Sequence, residues 1–177
     1  MVKRYGLSLI LALLCVSFAA AGANAQWIRD GVLVCNGAYE QSYQKIIPDG
    51  AQGAIIVWLD YRNGFDGNIY GNRIDKDGYV YDCGVPVCEA VGNQELAQII
   101  PDGTGGAIVV WVDSRNGNVD VYAQRVDGTG TARWTLDGIP ICVEGSNQSD
   151  ARIVPDGAGG AIIVWSDYRR EIGRAHV

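Results

Sequence analysis

The fold is decided by a stretch that occurs three times: PDGAQGAIIVWLDYR from Pro48, PDGTGGAIVVWVDSR from Pro101 and PDGAGGAIIVWSDYR from Pro155. Successive prolines are 53 and 54 residues apart. The tryptophans and cysteines that accompany the stretch recur at the same steps. Self-similarity at a fixed period of roughly 20–50 residues is typical of repeat architectures, so the sequence predicts a fold built from tandem units. The recurring residues are Trp58, Trp111, Trp165, Cys35, Cys88 and Cys142.

Each unit reads as four antiparallel strands joined by tight turns. The run AIVVWVD at 107–113 is apolar on both alternating faces, as expected of a strand buried on both sides. An Asp-Gly turn precedes it and an Asn-Gly turn follows it, and both dipeptides favour the conformations of tight hairpins. No segment shows helical periodicity.

Four-stranded units of this length in tandem indicate an all-β fold, and specifically a β-propeller built of blades of about 53 residues. A β-sandwich array is the alternative. The first predicted strand matches the fourth strand of a unit, so we expect a split first blade and an incomplete ring. The predicted division is 1–25 signal peptide, 26–43 outer strand of the split blade with a linker, 44–88 and 98–142 blades, and 152–170 a partial blade.

The two ends of the chain carry different signals. Lys3 and Arg4 precede an apolar stretch that ends in the small-x-small motif Ala23-Asn24-Ala25. This is the pattern of a secretory signal peptide, and it predicts cleavage after Ala25 and a secreted or periplasmic protein. Residues 171–177 break the repeat and resemble the translation of a sequencing adapter, so we expect them to be non-native.

The charge of the chain narrows the choice of partners. The formal net charge is −6, which argues against nucleic acid, since such partners need basic patches. No stretch beyond the signal segment approaches the 18 or so apolar residues of a membrane helix, so no membrane insertion is expected after cleavage.

One family resemblance is carried by the order of the motifs. A Pro-Asp-Gly hairpin, a buried run ending in Trp-x-Asp-x-Arg, and then Ile/Val-Tyr resembles the repeats of TolB-type propellers and of exported bacterial repeat proteins. The resemblance implies a propeller fold and export, and it identifies no ligand. The chain departs from that pattern by one residue between Asp and Arg, which is Tyr61, Ser114 or Tyr168.

Aspartate and arginine recur two residues apart at the end of each buried run. In a strand this spacing places both side chains on one face. They could form a ring of charges that recognises a sugar or a peptide, or each pair could pin its own hairpin. We favour the second interpretation because function seldom repeats identically in every unit. The residues are Asp60, Arg62, Asp113, Arg115, Asp167 and Arg169.

The tryptophans and cysteines are interpreted as parts of the core. Trp58, Trp111 and Trp165 could offer a stacking surface for sugars, but they end buried runs and are expected to pack between blades. Cys35, Cys88 and Cys142 occupy equivalent positions, which lie too far apart in successive blades for disulfides. Cys83 stands outside this pattern, and a disulfide between Cys83 and Cys88 would need a local bulge.

Catalytic and cofactor sites find no support in the sequence. The only histidine, His176, falls in the expected non-native tail, so no Ser-His or Cys-His pair is available. No cofactor motif and no zinc pattern occurs, and the oxygen-rich turns fall short of a calcium loop. We therefore expect an exported non-enzymatic scaffold that binds an unknown protein or glycan or serves a structural role. The alternative is a propeller enzyme, a glycan hydrolase or lyase, with its active site elsewhere.

Overall fold

The computed structural model describes residues 10–11, 30–80, 82–169 and 175–176. Regular structure in this part of the chain consists of strands without a helix, which confirms the all-β prediction. Accordingly, no helix of the described residues is long and apolar enough to cross a membrane. The predicted signal peptide and the predicted non-native tail lie outside the described residues, apart from Ile10–Leu11 and Ala175–His176.

Strands β1 (Ile10–Leu11) and β2 (Val32–Leu33) form a short antiparallel pair. The remaining strands form three antiparallel sheets in which neighbours in the chain are neighbours in space. Sheet 1 contains β3 (Gln41–Pro48), β4 (Ala54–Asp60), β5 (Asn68–Ile74) and β6 (Val85–Cys88). Sheet 2 contains β7 (Gln94–Pro101), β8 (Ala107–Asp113), β9 (Asp120–Val126) and β10 (Ile139–Cys142). Sheet 3 contains β11 (Gln148–Pro155), β12 (Ala161–Asp167) and β13 (Ala175–His176).

The second strand of each sheet has the predicted bounds. Strands β4 and β8 are almost entirely buried, because each is paired on both edges and covered on both faces. This accounts for the continuous apolar runs, since a strand with one solvated face would alternate. The prediction of four antiparallel strands per unit is confirmed for sheets 1 and 2.

The first strands are longer than the sequence suggested. Strand β3 begins at Gln41 instead of residue 44, and its register against β4 shifts between Ser42 and Lys45. Tyr43 lies in this bulge with φ of 55°, a left-handed conformation that non-glycine residues seldom adopt. Strands β7 and β11 have the same bulge, with Leu96 and Asp150 in that conformation.

The fourth strands are shorter than the segments 80–88 and 134–142 that the repeat predicts, because a turn interrupts them. In sheet 1 an isolated bridge joins Ile74 to Val80, and β6 starts only at Val85. Gly84 lies in that turn with φ of 82°, directly over the indole of Trp58. The turn therefore brings the backbone against the tryptophan and separates the two halves of the predicted strand.

Sheet 2 packs between sheets 1 and 3. One core joins sheet 1 to sheet 2 through Val57 and Val109, and a second joins sheet 2 to sheet 3 through Val110 and Ile163. The first strands β3, β7 and β11 contact one another in sequence. The described residues contain no closed ring of sheets.

The stack of sheets has two opposite edges, at which different turns of the hairpins lie. At one edge the first strands begin and the second strands end, as at Gln41 and Asp60, and we call it the Asp–Arg edge. We call the Pro–Asp–Gly edge the opposite side, where Pro48 ends β3 and Ala54 starts β4.

Candidate functional site

The predicted Asp–Arg pair of sheet 1 forms a closed cluster with the tryptophan before it. Asp60 is fully buried. Its Oδ2 accepts hydrogen bonds from Trp58 Nε1 at 2.8 Å and Arg62 Nη2 at 2.6 Å. Its Oδ1 accepts from the backbone N–H of Arg62 at 2.8 Å and from Arg62 Nε at 2.9 Å. The carboxylate thus has all its partners within one hairpin and does not need a ligand.

The cluster recurs in the other two sheets. Asp113 is also fully buried and accepts from Trp111 Nε1 at 2.8 Å and from Arg115 Nη2 at 2.6 Å. In sheet 3, Asp167 accepts from Arg169 Nε at 2.9 Å. Each carboxylate therefore finds its arginine within its own hairpin, which favours the structural interpretation of these residues over a shared charged site.

The protonation of these carboxylates follows from the same contacts. Burial disfavours ionisation of Asp60 and raises its pKa, but the hydrogen bonds from Arg62 and Trp58 outweigh burial and hold the pKa below its ordinary value. The hydrogen bonds from Arg169 lower the pKa of Asp167 to about 2. These groups are carboxylates at neutral pH and are unsuited to serve as general acids.

A tyrosine of the third strand completes the clusters of sheets 1 and 2. The guanidinium of Arg62 lies 3.7 Å from the ring centroid of Tyr70, and that ring stacks on Trp58 with centroids 6.4 Å apart. Arg115 and Tyr122 repeat the arrangement at 3.9 Å. The tryptophans are consequently covered, as the core interpretation predicted, and offer no open platform to a sugar.

The structure corrects the prediction about the cysteines. Cys83 forms a disulfide with Cys35, with Cα atoms 4.2 Å apart, and Cys88 is a free buried thiol. The possible Cys83–Cys88 disulfide is therefore wrong, because Cys83 lies in the turn beside Trp58 and faces the segment that precedes sheet 1. Cys35 is buried in the core beside Trp58, as predicted, but as a disulfide cysteine and not as a free thiol. The bond ties the N-terminal segment to the fourth-strand region of sheet 1.

Cys88 occupies in sheet 2 the position that Cys35 occupies in sheet 1. Arg115 Nη2 lies 3.1 Å from Cys88 Sγ and donates to the carbonyl of Asp137 at 2.9 Å. Arg62 likewise approaches Cys35 Sγ and donates to the carbonyl of Cys83 at 2.7 Å. Asp137 therefore occupies in sheet 2 the position that Cys83 occupies in sheet 1. Cys88 has no cysteine partner at that position and remains a free thiol. Burial raises the pKa of the Cys88 thiol to about 12.

A second Asp–Arg pair lies on the Pro–Asp–Gly edge and was missed from the sequence. Asp49 is buried, caps its own turn through the N–H groups of Ala51 and Gly53, and pairs with Arg73 at 2.6 Å. Asp102 and Arg125 do the same at 2.8 Å. The sequence does contain a signal for this pair, because Arg73 and Arg125 recur at the same distance from the Pro-Asp-Gly turns. The alternation of side chains along the third strand does not by itself show that the aspartate of the turn is their partner.

The residues that differ between units gather at the Asp–Arg edge. At the bulge of the first strands, Tyr43 is 66% exposed and Leu96 is 45% exposed, and Asp150 is also exposed. The preceding residue and the residue between Asp and Arg each differ in the second unit, where Glu95 and Ser114 replace a serine and a tyrosine. We call this set the variable rim: Ser42, Tyr43, Tyr61, Glu95, Leu96, Ser114, Ser149, Asp150 and Tyr168.

The variable rim continues from one sheet to the next. Burial raises the pKa of Tyr61, and the carboxylates of Glu95 on sheet 2 and of Glu40 raise it further. Tyr168 lies within 3.3 Å of Ser149 through their hydroxyl oxygens. Tyrosine rings, hydroxyls and carboxylates thus share one surface that spans the three sheets.

A cavity of about 200 Å³ opens at this rim, lined by Asn93, Glu95, Val112, Ser114 and Val119 among others. Its lining joins an exposed carboxylate and hydroxyl to apolar side chains. Within the described residues, no group of three or more His, Cys, Asp or Glu is placed to hold a metal ion.

Comparison with known proteins gives no match: no family model, no curated protein and no solved structure is similar to this chain.

Proposed function

We propose that this chain is an exported, non-enzymatic repeat protein of the β-propeller type that serves as a binding scaffold, with ligands contacting the variable rim. One observation carries the proposal: the repeated aspartate and arginine of each unit are held in a hydrogen-bonded cluster, whereas the bulge residue on the same edge is exposed and differs in every unit, as Tyr43, Leu96 and Asp150. A residue that every unit needs for folding is expected to be the same in every unit. A residue that contacts a ligand can differ between units, because each unit meets a different part of the ligand.

Several features support a propeller arrangement of the sheets. Each complete sheet is a four-stranded antiparallel meander, as a blade is. The sheets stack face to face through apolar cores, and their first strands adjoin. The Cys35–Cys83 disulfide fixes the segment before sheet 1 against that sheet, which is where the outer strand of a preceding blade would lie.

The backbone of the rim supports a binding role. Tyr43, Leu96 and Asp150 all adopt a left-handed conformation at the bulge, which costs on the order of 1 kcal/mol or more for a non-glycine residue. The bulge recurs and so belongs to the architecture, yet its side chain changes each time. It directs a different side chain outward from each first strand.

The chemistry of the rim favours a glycan or a protein segment as ligand. Tyrosine supplies a rigid apolar face with a polar tip, which suits both kinds of surface. The carboxylates Glu95 and Asp150 and the hydroxyl groups of Ser114 and Ser149 accept and donate hydrogen bonds beside these rings. The rim lacks the basic residues that a nucleic acid would need.

A glycan and peptide array tests the proposal. The full chain is compared with a rim variant, Tyr43→Asn, Tyr61→Ala and Glu95→Gln, in which asparagine tolerates the left-handed backbone. The matched control replaces exposed residues on the opposite edge, Asp77→Asn and Tyr79→Ala. We expect ligand binding to be lost in the rim variant and kept in the control, with unchanged melting temperatures for both. Absence of any ligand, or equal binding by both variants, contradicts the proposal.

A further inference from the structure

The cavity at the variable rim is lined by sheet 2, which has all four of its strands. Its lining comes from the start of β7, the end of β8 and the residue before β9: Asn93, Glu95, Val112, Asp113, Ser114 and Val119. The cavity measures about 200 Å³, whereas pockets for small-molecule ligands measure about 300–1,000 Å³. It therefore has the size to receive one side chain of a larger ligand.

The lining of this cavity is particular to the second unit. Glu95 is opposite Val112 in sheet 2, whereas the equivalent pair in sheet 1 is Ser42 and Leu59. Ser114 stands where the other two units have tyrosine. Smaller side chains thus line the cavity than occupy the equivalent place in sheet 1, and a carboxylate replaces the hydroxyl at its mouth.

The wall and the mouth of the cavity differ in polarity. Val112 is buried and Val119 is half-buried, and both pack with the core between sheets 2 and 3. Glu95 is exposed, and within residues 30–80 and 82–169 its carboxylate forms no hydrogen bond or ion pair. Asp113, by contrast, is paired with Arg115. An apolar wall that leads to an unpaired carboxylate suits a lysine, whose hydrocarbon stem packs on apolar surface while its ammonium group stays near water.

Negative charge extends beyond the cavity along the rim. Burial and the carboxylates of Glu95 and Glu40 raise the pKa of Tyr61 on sheet 1, so the two carboxylates and the phenol lie near one another. The variable rim itself contains Glu95 and Asp150 but neither lysine nor arginine. Complementary charge across an interface favours the matching partner and disfavours partners of like charge, so a cationic segment is favoured here.

We propose that this cavity receives a lysine side chain of a basic peptide segment, with the stem between Val112 and Val119 and the ammonium group at Glu95. The assignment rests on the proposed role of the variable rim as a binding surface and specifies the chemistry of its ligand. The hydroxyl of Ser114 is already bonded to the backbone of Asn93. Ser114 therefore shapes the wall, and Glu95 is the group that meets the charge.

The test uses a fluorescent eight-residue oligolysine peptide, titrated into the full chain and followed by anisotropy. The control peptide is the same oligolysine with every side-chain amine acetylated, which keeps the stem and removes the charge. We expect at least tenfold tighter binding of oligolysine. Equal binding of the two peptides overturns the proposal.

Oligolysine is also attracted by the net negative charge of the chain, and protein variants separate that attraction from the cavity. Val112→Leu introduces the residue of the equivalent place in sheet 1 and changes no charge, and by filling the cavity it should weaken binding about tenfold. Glu95→Gln should weaken binding at least tenfold. The matched control, Asp77→Asn, removes the same charge at the opposite edge and should change binding less than twofold.

Two outcomes would show that net charge alone holds the peptide and would overturn the assignment. One is unaltered binding by a folded Val112→Leu variant, with folding checked by its melting temperature. The other is equal weakening by Glu95→Gln and Asp77→Asn.

Failure of this inference differs from failure of the proposed function. A glycan or an uncharged peptide could bind the unaltered chain, be lost in the rim variant and be indifferent to Val112→Leu. That result would overturn the lysine cavity and support the rim as a binding surface. Absence of rim-dependent binding by every probe would contradict both.

Discussion

Removal of the Cys35–Cys83 disulfide should destabilise the protein markedly. The bond joins residues 48 apart in the chain, and cross-linking a loop of this length lowers the conformational entropy of the unfolded state. The chain-entropy relation gives about 4 kcal/mol for such a loop. Cys83→Ser should therefore lower the free energy of unfolding by about that amount, since serine is close to cysteine in size and Cys83 lies in a turn.

Denaturant unfolding monitored by tryptophan fluorescence measures this effect. The unaltered chain and Cys83→Ser are compared with and without a reductant. We expect the reductant to shift the midpoint of the unaltered chain toward that of the variant and to leave the variant unchanged. Under denaturing conditions, the unaltered chain should also show two fewer reactive thiols without reductant than after reduction. Identical midpoints for the oxidised chain and the variant would refute the pairing.

Three further predictions concern the hairpins. Gly84→Ala and Gly50→Ala both force alanine into a left-handed conformation, at about 1 kcal/mol, but only at Gly84 does the new methyl group meet an indole ring. Calorimetry should therefore show a larger loss of stability for Gly84→Ala. Equal losses of stability would contradict the close approach of Gly84 to Trp58. Because hydrogen bonds hold the pKa of Asp60 below its ordinary value, its stabilisation is complete above the unfolded-state pKa of about 4 and is lost as pH falls further. The melting temperature should therefore fall as the pH is lowered below about 4, and a flat profile would oppose this. Asp137→Cys should form a new disulfide with Cys88, detectable as the loss of two thiols, while persistence of both thiols would show that the two junctions are not equivalent.

The sequence predicted the second strands best, because their signal is unambiguous. The run 107–113 is apolar on both faces and bounded by glycine turns, so its length and burial follow directly. The first strand was predicted too short, since Tyr43 lies in a bulge that breaks the alternation of exposed and buried residues. The fourth strand was predicted too long, since the approach of Gly84 to Trp58 is a tertiary contact without a local signature.

The error about the disulfide has a different origin. The repeat predicts that the equivalent cysteines do not bond to one another, and the structure agrees. The sequence suggests only the neighbouring Cys88 as a partner for Cys83. The pairing partner, Cys35, precedes the sheet and meets Cys83 only because the N-terminal segment packs on sheet 1. The alignment of Cys83 with Asp137 carried a usable hint, because a non-repeated cysteine beside a repeated one indicates a bond present in one unit only.

The sequence predicted which aspartates and arginines lie together, whereas it did not predict the variable rim. The spacing of Asp60 and Arg62 placed both on one face, and their recurrence favoured a structural role. The rim depends on a bulge and on the stacking of sheets, which bring Tyr61 near Glu95 from a different unit. Such proximity between units is set by packing and not by local sequence.

We propose that residues identical in every unit maintain the fold. The most direct measurement is the free energy of unfolding of Asp113→Asn beside that of Asp77→Asn, whose carboxylate forms an exposed pair with Lys76 at 2.5 Å. Removing the buried charge leaves Arg115 without its counterion, and we expect a loss of about 3 kcal/mol or more. The exposed pair should contribute less than about 1 kcal/mol. Equal losses for the two variants, or a stable Asp113→Asn protein that no longer binds ligand, would show instead that the repeated pair is a recognition site.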